Sequence, residues 1–480
     1  MGVSVRISEE YASRLEAILF PGDSDEHGAV LAASVLATPT GTRLLVHKIF
    51  EARDGVDYVE GQRGYKMLTA SFVARCALEC GELGMAYIAV HCHGGRGSVR
   101  FSSTDLESHE RGYGALLDIV NGPPVGALVF AEGAVAGDIW FPNGERHELD
   151  NLVIAGRPIR VIGDGRQTGT SARDERFDRQ VRLLGDQGQH MLRQHKIGVI
   201  GAGGAGSLVA EYLARLGVGE IVVVDPDRID PSNLSRVVGS KVKDVLPRLT
   251  SDRVLRTVRN FFESRRTLKV RIAKREARRS GLPTKVQGIA QSIARAEAAI
   301  ALVDCDYVFL AADSMQARLV FNALVHQYLI PGVQMGVKAR IDEVTGAVDE
   351  LFAVVRPLVP GGGCLWCNGL ILPARLQEEA LAPGQLRRQK YVDDPDVHAP
   401  SVVSMNAIAA SYAVNDYLLT TTGLLASTGL KWSKVFPMSG SIRDSAVNDL
   451  PRRDAGCSEC STIGRLGRGP TAPLPVSSRG

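Results

Sequence analysis

Residues 196–206 read KIGVIGAGGAG, residues 207–217 continue SLVAEYLARLG, and residues 221–227 read IVVVDPD. The first run is short, apolar and closed by glycines, the pattern of a buried strand ending in a tight turn. The second spaces its apolar residues three to four apart, the period of a helix packed on one face. The third is again a buried strand. Strand, helix and strand in that order make a β-α-β unit, which predicts an α/β domain with a parallel, doubly wound, Rossmann-like sheet. Gly201, Gly203, Gly204 and Gly206 crowd the turn between the first strand and the helix. In a G-x-G-x-x-G arrangement Gly201 permits the turn, Gly203 lets a phosphate approach the backbone, and Gly206 lets the helix pack on the strand. Phosphate then lies at the positive N-terminus of the helix. Asp225, at the end of the second strand, is placed to hold ribose hydroxyls. Taken alone, this pattern specifies only a nucleotide.

The flanking sequence departs from a dinucleotide site. Residues 222–236, VVVDPDRIDPSNLSR, carry Asp225, Asp227, Asn233 and Arg236, and residues 306–318, DYVFLAADSMQAR, offer Asp313 at a strand end with Arg318 a turn later. NAD has no use for such a set. A triphosphate with magnesium does, because cations offset phosphate charge and a carboxylate holds the metal. Farther on, Cys364/Cys367 and Cys457/Cys460 form two C-x-x-C pairs among eight cysteines. Four thiolates suit a closed, tetrahedral, structural Zn2+ site. Cys305, in ALVDCDYVFL, sits in a strand pattern and reads as core.

A separate constellation lies near the N-terminus, in VHCHGGRGSVRFSSTD over 90–105. His91 and His93 are one residue apart on a strand, so they face the same side. Asp105, at a following helix start, supplies a third ligand and leaves a fourth place for water, the catalytic zinc pattern. Glu26, in DSDEHGAVLAAS, would take the proton of that water, and Ser102 would steady the oxyanion. Asp25 is an off-by-one rival for Glu26.

The chain has 480 residues, too many for one core, and 45% hydrophobic with 23% charged residues is ordinary for a globular protein. A formal net charge of +3 is too small to indicate nucleic acid as a partner. The N-terminus places acidic residues ahead of any apolar run, unlike a signal peptide, and no apolar stretch is long enough to span a membrane. A cytoplasmic protein is expected. Composition divides the chain into a domain over 1–160, a polar linker over 161–175, a larger domain over 176–464 and a Pro/Gly/Ser-rich tail over 465–480 expected to be disordered. The stretch from about Lys241 to Arg266 is basic, helical in pattern and reads as an insertion.

The segment RFDRQVRLLGDQGQHMLRQHKIGVIGAGGAGS, then VVVDPDRIDPSNLSR, then FLAADS, then the two C-x-x-C pairs together resemble the ThiF/MoeB and ubiquitin-activating-enzyme family over residues 174–462. The resemblance implies a dimeric, doubly wound domain that transfers AMP from ATP to the C-terminal glycine of a ubiquitin-like protein. It implies phosphate contacts from the glycines, Asn233 and Arg236, ribose binding by Asp225, magnesium held by Asp313, and Arg179 reaching in from the partner subunit. The family's phosphate-contacting lysine is displaced by the insertion: Lys269 fits the following helix, whereas Lys241 and Lys243 fit the raw spacing. No cysteine lies between residues 368 and 456, where relatives that form a thioester carry one. The adenylate would pass to a partner's nucleophile, with a conjugating-enzyme-like protein as a further partner, or to a hydroxyl such as Ser401 or Ser404. Helix-start capping is the ordinary expectation for Ser401.

The N-terminal set, Glu26 with His91-x-His93 and Ser102-x-x-Asp105, resembles the JAMM (JAB1/MPN/Mov34) metalloproteases over residues 1–150. Ala29 replaces a glycine usual in that family. The resemblance implies an α+β domain with a catalytic Zn2+ that cleaves after ubiquitin-like C-termini. The two domains would then act on one C-terminal tail. The alternatives are sulfur-carrier activation for cofactor biosynthesis, and a non-catalytic scaffold that binds a ubiquitin-like protein.

Overall fold

Alternating and near-continuous apolar runs in the N-terminal third become the strands β1 (Gly2–Ser8), β2 (Gly28–Thr38), β3 (Gly41–Glu51), β4 (Ala86–Arg96), β5 (Val125–Glu132), β6 (Ala134–Trp140), β7 (Arg146–Ala155) and β8 (Arg160–Ile162). Between them lie the helices α1 (Glu9–Leu19), α2 (Ala70–Leu83) and α3 (Ser103–Val120). The structure is a computed structural model that describes residues 2–23, 25–59, 67–165, 174–245, 266–342, 345–380, 400–424, 429–436 and 451–477. The first sheet runs β1-β3-β2-β4-β5-β6-β7-β8, and β1 also pairs with β7, which curls the sheet back on itself. Each helix begins on a hydroxyl that accepts an orphan backbone N–H: Ser8 for α1, Thr69 for α2 and Ser102 for α3.

The second domain carries α4 (Asp178–Gln194), β9 (Lys196–Ile200), α5 (Gly204–Arg215), β10 (Glu220–Val224), α6 (Val242–Val245), α7 (Lys269–Arg279), β11 (Lys285–Ile289), α8 (Ala296–Ile300), β12 (Tyr307–Leu310), α9 (Met315–Gln327), β13 (Gly332–Ile341), β14 (Val348–Leu358), α10 (Pro373–Ala380), α11 (Val403–Thr421) and β15 (Ser433–Val435). Its sheet runs β11-β10-β9-β12-β13-β14-β15. The five strands from β11 to β13 are parallel, and β14 and β15 extend the edge antiparallel. From β9 the chain steps outward through β10 and β11, then returns to β12 on the other side of β9. That reversal is the topological switch point, and the crevice outside the strand ends there is where doubly wound sheets bind ligands. The β-α-β unit read from residues 196–227 is therefore β9-α5-β10. Most of the basic insertion lies outside the described residues.

The two sheets share one hydrophobic core. Val5, Leu31, Leu44 and Val46 of the first domain join Ile200, Val222, Leu310, Val320 and Leu324 of the second in a single cluster. Within this seam lies a buried ion pair. Arg6 is 3% exposed and donates to Asp306 and to the Cys305 carbonyl, and Arg43 reaches the same carboxylate. Burial and the charge of Arg43 pull Arg6 down to about 9, with Asp306 opposing them. Replacing Asp306 with alanine leaves Arg6 buried without its counter-charge. The expected loss is about 3–5 kcal/mol of stability, read by urea unfolding. A change below about 1 kcal/mol would show that water reaches the seam.

The structure corrects the expectations for the linker and the tail. Residues 161–165 belong to the first domain: β8 pairs with β7, and the Val135 amide donates to the Gly163 carbonyl. Residues 166–173 lie outside the described residues. The tail is ordered at least to residue 477. Leu466 is fully buried, Gly467 N donates to His326 O, and Ser34 Oγ donates to Gly467 O. Gln327 Nε2 donates to the carbonyls of Gly469 and Ala472. Composition failed here because glycine allows a close approach that apolar counts do not record. A Cβ on Gly467 would lie 2.3 Å from Val46 O, and one on Gly469 would lie 2.4 Å from Ser34 Oγ. The tail thus straps the first domain to α9. No helix among the described residues is long and apolar enough to cross a membrane.

Candidate functional site

The glycine turn sits at the switch point, where the end of β9 meets the end of β12. Gly201 has φ 93° and donates its amide to Val224 O at 2.8 Å. A Cβ on Gly201 would press the Ala311 backbone at 3.0 Å, and one on Gly206 would lie 1.8 Å from Gly201 O. Both positions require glycine. Gly203 is the N-cap of α5, no side chain caps that helix, and nothing lies within 4 Å of where its Cβ would be. Open space above unsatisfied helix amides is an anion cradle. Asp225 is 5% exposed and accepts from the amides of Ala202 at 2.7 Å and Asp227 at 2.8 Å. Burial pushes this carboxyl up, against the pull of Lys269 and the two amides.

Two cations flank the cradle. Lys269 opens α7, is 12% exposed at its side chain, and pairs with Asp227 at 2.7 Å. Lys241 and Lys243 lie at the start of α6 and have no such contact with Asp225 or Asp227 among the described residues. Arg236 has its Cδ 3.5 Å from the Cβ position of Gly204. Its guanidinium, half-buried, has no ion-pair partner among the described residues. Asn233 is buried and engaged locally: its Oδ1 accepts from Asp230 N at 3.2 Å, closing the turn Pro231–Asn233. Asp313 is exposed just beyond β12, and Ser314 caps α9. Arg318 donates to Leu370 O at 2.7 Å. Arg179, in the first turn of α4, is exposed.

Two residues at this site escaped the sequence reading. The Glu379 carboxylate, on α10, accepts from the amides of Met315 at 2.8 Å and Gln316 at 2.9 Å and so closes the N-terminus of α9. Asn406 is 6% exposed and fills the space a side chain on Gly204 would take, with Nδ2 2.3 Å from that Cβ position. The doubled glycine was the available signal, since Gly204 is not one of the three glycines the turn motif needs. Ser401 is not a helix cap. Val402 holds the N-cap of α11 without a side-chain bond, and Ser401 Oγ instead accepts from Asn406 Nδ2 at 3.1 Å.

The four motif cysteines converge. Cys364 and Cys457 sulfurs are 3.9 Å apart, Cys367 and Cys460 sulfurs are 3.7 Å apart, and all four lie within 4.8 Å of one another. Four sulfurs at about 2.3 Å from a zinc ion lie about 3.8 Å from one another, so the donors fit a tetrahedral site. The hydrogen bond with Cys460 leads the causes that pull Cys364 down to about 6. Cys305 is buried in the core, and burial pushes its thiol up.

In the first domain His91, His93 and Asp105 converge from β4 and α3, with ligand atoms also within 4.8 Å of one another. His91 Nε2 is 3.5 Å from Asp105 Oδ1 and His93 Nε2 is 3.4 Å from Asp105 Oδ2. Ser102 Oγ donates to Asp105 Oδ2 at 2.7 Å and its amide does the same at 2.7 Å, which fixes the carboxylate. Burial opposes the charge on Asp105, yet the bonds from His91 and Ser102 hold the carboxyl well below its usual range. Two imidazole nitrogens and a carboxylate fit a zinc with an open position. Gly28 pairs with His91, and Cys92 N donates to His27 O. Glu26 and Asp25 both lie just ahead of β2, whose first residue pairs with His91. Ala29 is buried within β2 opposite Val90.

The sequence model of the ThiF family matches residues 177–429. The sulfur carrier protein ThiS adenylyltransferase of Bacillus subtilis is 28% identical over 217 residues, covering 44% of this chain and 57% of that protein. The SAMP-activating enzyme E1 of Haloferax volcanii is 44% identical over 66 residues, covering 13% of this chain and 24% of that protein. The sulfur carrier protein adenylyltransferase of Thermus thermophilus is 42% identical over 73 residues, covering 15% and 27%. The chain therefore spans less than two thirds of the length of each of these relatives. Among solved structures, E. coli MccB superposes with a TM-score of 0.43 at 20% identity, covering 61% of this chain and 74% of that one.

Proposed function

The chain belongs to the ThiF family, and from that premise we propose that its second domain adenylates the C-terminal carboxylate of a small ubiquitin-like protein at the β9–α5 turn. The observation that carries this reading is the anion cradle at Gly203, open over the uncapped N-terminus of α5 and flanked by Arg236 and Lys269. A carboxylate attacking the α-phosphorus of ATP is anion approaching anion. Lys269 and Arg236 reduce that repulsion, the α5 amides hold the phosphates, and Asp225 orients the ribose. Asp313 would hold magnesium, which supplies further neutralisation of the triphosphate. Arg179 would complete the site from the second subunit of a homodimer. In-line displacement needs no protein nucleophile, so positioning and electrostatics carry the rate. The names of the Haloferax and Bacillus relatives, for SAMP and ThiS, favour a small-protein C-terminus as the acyl substrate. The second of those names, with the Thermus one, also favours a sulfur carrier as the form that protein takes.

For the first domain we propose a zinc peptidase acting on the same class of tail. His91, His93 and Asp105 would hold the ion, which lowers the pKa of its water when bound. Glu26, just ahead of the strand whose first residue pairs with His91, would take the proton, while Ser102 fixes Asp105 and faces the reacting carbonyl. The four-cysteine cluster would hold a structural zinc.

The test of the adenylation reading is ATP–pyrophosphate exchange with a glycine-ended ubiquitin-like protein encoded beside this chain. Exchange dependent on magnesium and on the terminal glycine is expected. A carrier adduct that survives thiol reductant but yields to hydroxylamine would identify a hydroxyl acceptor. Absence of exchange, with the protein folded and the carrier intact, overturns the reading in favour of a binding scaffold.

A further inference from the structure

We propose that Asn406 is a phosphate-contacting residue of the adenylation site, held in place by Ser401; the inference rests on the adenylation reading above. Asn406 comes from α11, far along the chain from the glycine turn, yet its amide lies directly on Gly204, the first residue of α5. It is 94% buried if its 6% exposure is subtracted from the whole, so its carboxamide is not there for solubility. Nδ2 has two protons. One goes to Ser401 Oγ at 3.1 Å, which fixes the amide plane. The other has no acceptor among the described residues, and Arg236 Cδ lies 3.5 Å from the same Gly204 Cβ position, so a phosphate of ATP seated over Gly203 would come within reach of both. Gly204 is then glycine for Asn406 and not for the turn, because any Cβ there would strike the amide at 2.3 Å.

Calorimetric titration of the full-length protein with magnesium ATP, and separately with AMP, tests this. Asn406→Ala should weaken ATP binding at least about tenfold while AMP binding changes less than about twofold, since a bond to a charged oxygen is lost and AMP lacks the distal phosphates. Asn406→Asp should be worse, because it sets a carboxylate against phosphate. Gly204→Ala displaces the same amide, so the Gly204→Ala/Asn406→Ala double variant should be no weaker than the weaker single variant. Ser401→Ala keeps the amide but frees it, and serves if Asn406→Ala fails to fold; it should weaken ATP binding severalfold and spare AMP. Unchanged ATP binding in folded Asn406→Ala, or equal loss of ATP and AMP, overturns the assignment while leaving the adenylation reading intact. A wild-type protein that binds no magnesium ATP overturns both.

Discussion

Asp313→Ala should abolish the proposed AMP transfer and spare the proposed peptidase activity, and Glu26→Gln should do the reverse. Asp313 is exposed past the end of β12, so its removal leaves no buried partner unsatisfied and the fold should stand. What it removes is the carboxylate proposed to hold magnesium against the triphosphate. Loss of such an electrostatic clamp costs roughly 10²–10³-fold in rate. Glu26 is half-buried at the entry to β2, and glutamine keeps its size while removing its basicity. Loss of a general base costs roughly 10²–10⁴-fold. The measurements are pyrophosphate exchange and cleavage of a carrier bearing a C-terminal extension, on the same preparations. Crossed effects are expected because the two clusters use no residue in common. If either variant lost both activities while its unfolding curve matched the wild type, two independent sites could not be maintained.

The parts of the fold that were legible share one property: their signal is local. A strand, a turn and a helix over residues 196–217 state their own geometry, because the glycine positions answer contacts within the same unit, such as the 1.8 Å approach between Gly206 and Gly201. The His-x-His pair and the C-x-x-C pairs were legible for the same reason, each pair being adjacent in sequence. What stayed hidden depends on residues far apart. Asn406 reaches Gly204 across about two hundred residues, and nothing in APSVVSMNAIAASY marks the asparagine as anything but polar. Leu466 and Gly467 looked like a disordered tail because their partners, His47, Ser34 and His326, belong to other elements. Ser401 preceded an apolar helix and read as a cap, yet the chain started α11 one residue later and gave the hydroxyl to Asn406. Arg6 would ordinarily be placed on the surface; only the packing of the two sheets puts Asp306 beside it.

Cys460→Ser should take one zinc from the protein and loosen both domains at once. The cluster joins the loop after β14 to the C-terminal segment, and the segment continues from Cys460 directly into the strap over β2, β3 and α9. Four-thiolate zinc sites in small domains bind with apparent free energies on the order of 10 kcal/mol. That is comparable to the whole stability of a typical domain. With the cluster broken, the strap is left to its own hydrogen bonds and to the packing of Leu466, Leu474 and Val476, and residues 451–477 should become the first site of proteolysis. Elemental analysis should find two zinc ions in the wild type and one in Cys460→Ser. His91→Ala should also retain one, but with the strap still protected. Cys305→Ala, buried but remote from the cluster, should retain both ions and serves as the control for a core cysteine. A Cys460→Ser protein with full zinc content and an unchanged proteolytic pattern would mean that the four sulfurs converge without an ion and that the strap is held by its own contacts.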